Sequence, residues 1–160
     1  MIFKQYDEFP KFGAFLDNRF PMLEAFSPEI FEVFAEFCMS KDLARQALKR
    51  GKYPLVKVKV LINPKIGKVD RRVGGLYAGE CEPTEKNVIF IQKENVVAYE
   101  EGNGNPFFLE RVILHETVHW ARFIGRKPAR TPDDKEAGSQ FEIKAYNLPP
   151  ASDHSDVPCS

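Results

Sequence analysis

The sequence predicts an α+β fold: N-terminal helices, a small and mostly antiparallel sheet, a long helix carrying His-Glu-x-x-His, and a C-terminal helix. Three observations predict it. Apolar residues recur at spacings of three and four in the first fifty positions, alternate at a spacing of two after Pro54, and return to a helical period beyond Pro106. With 160 residues, 43% hydrophobic and 29% charged, the chain can bury one sizeable core, so a single domain over 1–150 is expected.

Pro10 to Phe26, broken by Gly13 and Pro21, reads as one or two short helices. Ser27-Pro28-Glu29 is a helix start with serine as N-cap and proline in the first turn, and Ile30, Phe31, Phe34, Phe37 and Cys38 then form an apolar stripe for packing. Ser40 caps a further helix that stops at Gly51. Val56, Val58 and Val60 alternate with Lys57 and Lys59 as a half-buried strand, and Asn63 to Gly67 is a turn. Val69 to Tyr77 is a second strand whose Gly74-Gly75 marks a bulge or a close backbone approach. Asn87 to Gln92 is the third strand, and the best candidate for an exposed edge on which an extended substrate could pair. Asn95 to Tyr99 is compatible with helix or strand. Asn105-Pro106 opens the long helix, expected to stop at Gly125; Arg126 to Thr131 is a loop; Asp133 to about Tyr146 is the last helix. Residues 151–160 are small, polar and proline-bearing, the composition of a flexible tail.

Formal net charge is zero, so nucleic acid is not an expected partner, and an anionic membrane could be bound only through a local patch. No run approaches the roughly 18 apolar residues of a membrane span, and acids stand where a signal peptide would continue its apolar core. A soluble chain without a signal peptide is expected. Cys38, Cys81 and Cys159 are widely spaced and allow at most one disulfide.

The chemistry concentrates in the long helix, where His115-Glu116-Thr117-Val118-His119 places two imidazoles one turn apart on one face, able to reach one metal ion. Glu116 is rotated to the side, where a carboxylate can take a proton from water that the metal activates. The pattern therefore predicts one Zn²⁺ per chain held by His115 and His119, with Glu116 as general base. A third ligand is still needed. A metzincin continuation is excluded, since Arg122 stands at its glycine and Gly125 at its last histidine. His154 lies in the tail. Glu136 and Glu142 remain, about 120° apart on an ideal helix, so only one should face the metal. Glu142, beside Phe141 in mid-helix, is favoured because an acid at that depth must be paired or liganded, whereas Glu136 resembles a helix-start acid. Tyr146, Tyr99 and Arg122 are candidate donors to an oxyanion.

His115-Glu116-Thr117-Val118-His119-Trp120-Ala121-Arg122, followed by Glu136 to Glu142 and Tyr146, resembles the metallopeptidase toxin 3 domains, which are zincin-type bacterial effectors. The resemblance covers about Asn87 to Asn147, with Asn147 where the family often has glycine. It implies zinc ligands His115, His119 and Glu142, Glu116 as the catalytic glutamate, and a role for Tyr146 at the site. It further implies a peptidase acting on a protein of a target cell and delivered by a secretion apparatus, with room for a cognate inhibitor or immunity protein. Two other readings stand beside it: a zinc-stabilised binding module, which needs a fourth protein ligand from Glu136, His154 or Cys159, and a zinc amidase acting on a non-peptide amide.

Overall fold

The structure is a computed structural model and describes residues 1–151, so His154, Cys159 and nearly all of the tail lie outside the described residues. The chain is α+β. In order it forms β1 (Ile2–Phe3), α1 (Pro10–Arg19), α2 (Leu23–Phe26), α3 (Pro28–Cys38), α4 (Lys41–Leu48), β2 (Leu55–Lys59), β3 (Ile62–Asn63), β4 (Lys68–Val69), β5 (Gly75–Tyr77), a 3₁₀ turn (Pro83–Glu85), β6 (Val88–Gln92), α5 (Lys93–Glu100), α6 (Pro106–Ile124) and α7 (Ala137–Tyr146).

Four strands form one sheet in the order β1-β2-β6-β5. β1 pairs parallel with β2, β2 parallel with β6, and only β5 runs antiparallel to β6. The sheet is thus mixed rather than mostly antiparallel. The reason is connectivity: α1 to α4 separate β1 from β2, and a helical crossover returns the chain parallel to its starting strand. β3 and β4 form a separate antiparallel hairpin.

β6 corrects a second expectation. It is central, paired on both sides, and all five of its residues are buried, so it offers no edge to a substrate. Its run of Val88 to Ile91 without polar alternation is the pattern of a strand covered on both faces. The edge on that side is β5.

α6 is the axis of the core. It starts at Asn105, whose side-chain oxygen accepts from the Phe107 and Phe108 N–H groups, and thirteen of its nineteen residues are buried. Its Val112, Ile113, Leu114, Val118 and Trp120 join Phe12, Phe20, Phe31, Phe34 and Phe141 in the main hydrophobic cluster, where Phe141 of α7 packs edge-on against Phe34 of α3. Gly125 ends α6 with φ −76°, and Arg126 takes the left-handed turn instead. α5 resolves the ambiguous segment as helix. α7 begins at Ala137, later than Asp133, and ends on Asn147 in the left-handed conformation (φ 53°) that glycine or asparagine supplies.

Candidate metal centre

Glu136 is placed by the first turn of α7. It is the N-cap, its two carboxylate oxygens accepting from the Gly138 N–H at 2.8 Å and the Ser139 N–H at 2.6 Å. That ties the carboxylate to the backbone and aims it at α6. There the imidazoles of His115 and His119 lie with centroids 5.2 Å apart, as a four-residue helical spacing dictates. Nε2 of His119 is in direct contact with one Glu136 oxygen, and Nε2 of His115 lies 3.6 Å from the other. One donor atom each from His115, His119 and Glu136 fall within 4.8 Å of one another. Two imidazole nitrogens and a carboxylate oxygen suit a borderline cation such as zinc, so the residues present fit the metal that the motif implies.

Glu142 stands behind this group. One of its oxygens is 2.7 Å from Nδ1 of His115, and the other accepts from the Ala151 N–H at 2.7 Å and lies 3.0 Å from the Arg111 guanidinium. The structure therefore brings Glu136, and not Glu142, to the Nε2 side where His115 and His119 converge. The burial argument that singled out Glu142 was sound in one respect: the acid is fully buried and it is paired. Its partners are the back of a histidine and an arginine. A carboxylate on Nδ1 fixes the tautomer and ring orientation and leaves Nε2 to the front.

Tyr146 is a further correction. Its hydroxyl donates to Glu110 at 2.8 Å, in a cluster where Arg19 also pairs with Glu110, and its ring packs edge-on against Phe107 and Phe141. It does not reach the His115, His119 and Glu136 group. Arg122 is turned away too, its guanidinium donating to the carbonyls of Phe37, Pro128 and Arg130 at 2.9, 2.6 and 2.9 Å. Tyr99 packs against Phe15 in the core.

Glu116 lies between α6 and the edge strand. A Cβ on Gly75 of β5 would come within 2.8 Å of both Glu116 Cγ and a Val112 methyl, so the strand can pass the helix only because residue 75 is glycine. The close approach marked by Gly74-Gly75 is this one. Gly138 plays the same part across the site: a Cβ there would sit 2.5 Å from His115 Cδ2 and 2.6 Å from its Nε2. Gly138 and Arg111 were not singled out in the sequence, whereas Glu136 was read as a helix-start acid. A glycine inside the first turn of the last helix, Gly138, was the available signal for a close approach by a neighbouring element.

Burial dominates the electrostatics. It lowers His115 to about 3 against the pull of Glu136, which keeps the imidazole neutral, the form in which it could hold a metal. Burial likewise pushes Glu116 up to about 8, opposed by His119 and by the hydrogen bond to the Tyr77 backbone N–H. On His119 burial pulls down, but the contact with Glu136 outweighs it and the pKa is raised. Burial would raise Glu136; the two histidines and the Ser139 side chain overcome that and hold it well below the usual carboxylate range.

A family model described as metallopeptidase toxin 3 matches residues 5–147. No curated protein and no solved structure matches the chain significantly.

Proposed function

The chain belongs to the metallopeptidase toxin 3 family, and from that premise we propose that it is a zinc-dependent, zincin-like peptidase that cleaves a protein of a target cell. The observation that carries this reading is the meeting of His115 Nε2, His119 Nε2 and the Glu136 carboxylate beside Glu116. Zinc at these three donors would act as a Lewis acid, acidifying a water molecule and polarising a peptide carbonyl. Glu136 takes the ligand position for which Glu142 was first favoured. Glu142 holds His115 from behind, and Arg111 and the Ala151 N–H hold Glu142. A cation held by the three donors would favour the carboxylate form of Glu116 over the protonated form that burial alone favours. That carboxylate, oriented by the Tyr77 N–H, accepts the proton of the attacking water and returns it to the leaving amine.

An extended substrate would pair with β5, the strand beside Glu116 that among the described residues has a strand neighbour on one side only. Delivery by a secretion apparatus and inhibition by an immunity protein fit the family's description as a toxin. Among the described residues no helix is long and apolar enough to cross a membrane.

The test is Glu116→Gln. Hydrolysis of an unfolded protein substrate should fall at least a hundredfold, on the order of what a positioned general base contributes, with zinc content unchanged. Wild-type protein that holds zinc yet cleaves no protein or peptide, with the variant alike in partner binding, would favour the binding-module reading instead.

A further inference from the structure

The β3–β4 hairpin is built the wrong way round for a solvated hairpin. Alternation along residues 60–63 sends Leu61 and the polar Asn63 inward, where they are 5% and 2% exposed, and turns Val60 and Ile62 outward at 45% and 52%. Val69, paired across from Ile62, is outward at 38%, and Ile66 in the connecting turn is 51% exposed. Four exposed aliphatic side chains thus lie on the β3–β4 hairpin and the residue pair that leads into it.

The element is well anchored. Buried Gln92 clamps its base, accepting from the Leu61 N–H at 2.9 Å and donating to the carbonyls of Leu61 and Asp70 at 2.9 and 3.2 Å. Asn63 organises the turn: its side-chain oxygen accepts from Lys65 N–H, its amide donates to Asp70, and its carbonyl accepts from Gly67 N–H at 2.8 Å. The aliphatic face is therefore presented by a fixed backbone, with little ordering left to occur on binding.

Charge surrounds it with one sign. Between positions 59 and 72 stand Lys59, Lys65, Lys68, Arg71 and Arg72, all exposed, against the single acid Asp70, in a chain whose formal net charge is zero. Asp70 is engaged by Arg72 and Asn63. Exposed aliphatic side chains and long cationic side chains carried by one short segment match the two layers of an anionic bilayer surface.

We propose that the β3–β4 hairpin is a peripheral docking element for anionic lipid surfaces, with Val60, Ile62, Ile66 and Val69 entering the headgroup boundary and the flanking lysines and arginines pairing with lipid phosphates. Exposed aliphatic side chains beside an excess of cations complement an interface that offers phosphates and an apolar boundary together, which favours an anionic lipid surface over an acidic protein. The binding is expected to be reversible, since each cation near such a surface is worth only about fivefold in affinity.

The experiment is vesicle flotation of the zinc-loaded chain with phosphatidylcholine alone and with an equal mixture of phosphatidylcholine and phosphatidylglycerol, at low and raised salt. Wild type should float with the anionic vesicles, less at raised salt, and not with the neutral ones. An Ile62→Ser, Ile66→Ser pair and a Lys65→Glu, Lys68→Glu pair should each weaken flotation at least tenfold. All four positions are exposed, and unchanged circular dichroism and zinc content show that the variants fold. No flotation of wild type, or equal flotation of wild type and both variants, overturns the proposal. So does competition by soluble polyglutamate that depends on the lysines and not on the isoleucines, which would assign the patch to an acidic protein. None of these readouts depends on peptidase activity.

Discussion

At the scale of single residues, the site depends on groups that were hardest to see in advance. His115, Glu116 and His119 were legible because one helical spacing fixes their relation. Glu136 was weighed and ranked second, because helix-start acids usually serve the helix dipole. Here capping the helix and facing the two histidines coincide, since fixing both carboxylate oxygens on Gly138 and Ser139 is also what aims them. Glu142 was correctly read as a buried acid needing a partner, but a burial cost does not say whether the partner is a metal or the far nitrogen of a ligand. Tyr146 lies a turn and more beyond Glu142, over the opposite end of α6, where Glu110 takes its hydroxyl. Gly138 yields the sharpest expectation at this scale. A methyl at Gly138 would stand 2.5 Å from His115, so Gly138→Ala should displace that ring and weaken zinc binding about ten- to a hundredfold, as loss of an outer-shell support does. Competition with a zinc-binding dye measures it; an unchanged affinity would show that the close approach is dispensable.

At the scale of elements, the segment between α6 and α7 is more ordered than its proline-containing, aperiodic sequence suggested. Arg122 secures it to α6 through the Pro128 and Arg130 carbonyls and to the end of α3 through Phe37. A bridge between Arg130 and Glu136 and the hydrogen bond from Thr131 N–H to the Lys135 carbonyl close the turn that delivers Glu136. Arg122→Ala should therefore loosen residues 126–136. Zinc affinity should drop at least tenfold, and limited proteolysis should cut first within this segment, while the helical circular dichroism is kept. Proteolysis elsewhere with zinc affinity intact would contradict the assignment. The strands were less legible than the helices. β1 is two residues long and pairs with a strand some fifty residues on, so nothing local reveals it. That pairing, and the one between β2 and β6, set the parallel half of the sheet.

At the scale of the molecule, α+β character, a buried motif helix and the family were all readable, because they rest on periodicity and on one dense motif. The arrangement of elements around α6 was not, because it is set by packing between distant residues such as Phe34 and Phe141. The three donors belong to α6 and to the cap of α7, so an ion held by them ties two elements that otherwise meet through the core. Folding and metal binding should be coupled. At zinc a hundredfold above its dissociation constant the native state should gain about 2.7 kcal/mol, visible as a melting temperature that rises with zinc and falls back with a chelator. A melting temperature indifferent to zinc would show that these donors do not share an ion in the folded chain.

The central claim is that His115, His119 and Glu136 hold one zinc ion while Glu142 supports His115 from behind. Zinc per chain, measured by elemental analysis on wild type, Glu136→Ala and Glu142→Ala under metal-limited conditions and again with zinc in excess, tests it most directly. The wild type should carry close to one zinc in both conditions and Glu136→Ala little in either. Glu142→Ala should lose zinc when metal is limiting and regain it in excess. Full occupancy in Glu136→Ala, with Glu142→Ala empty even in excess zinc, would contradict the account and return the ligand role to Glu142.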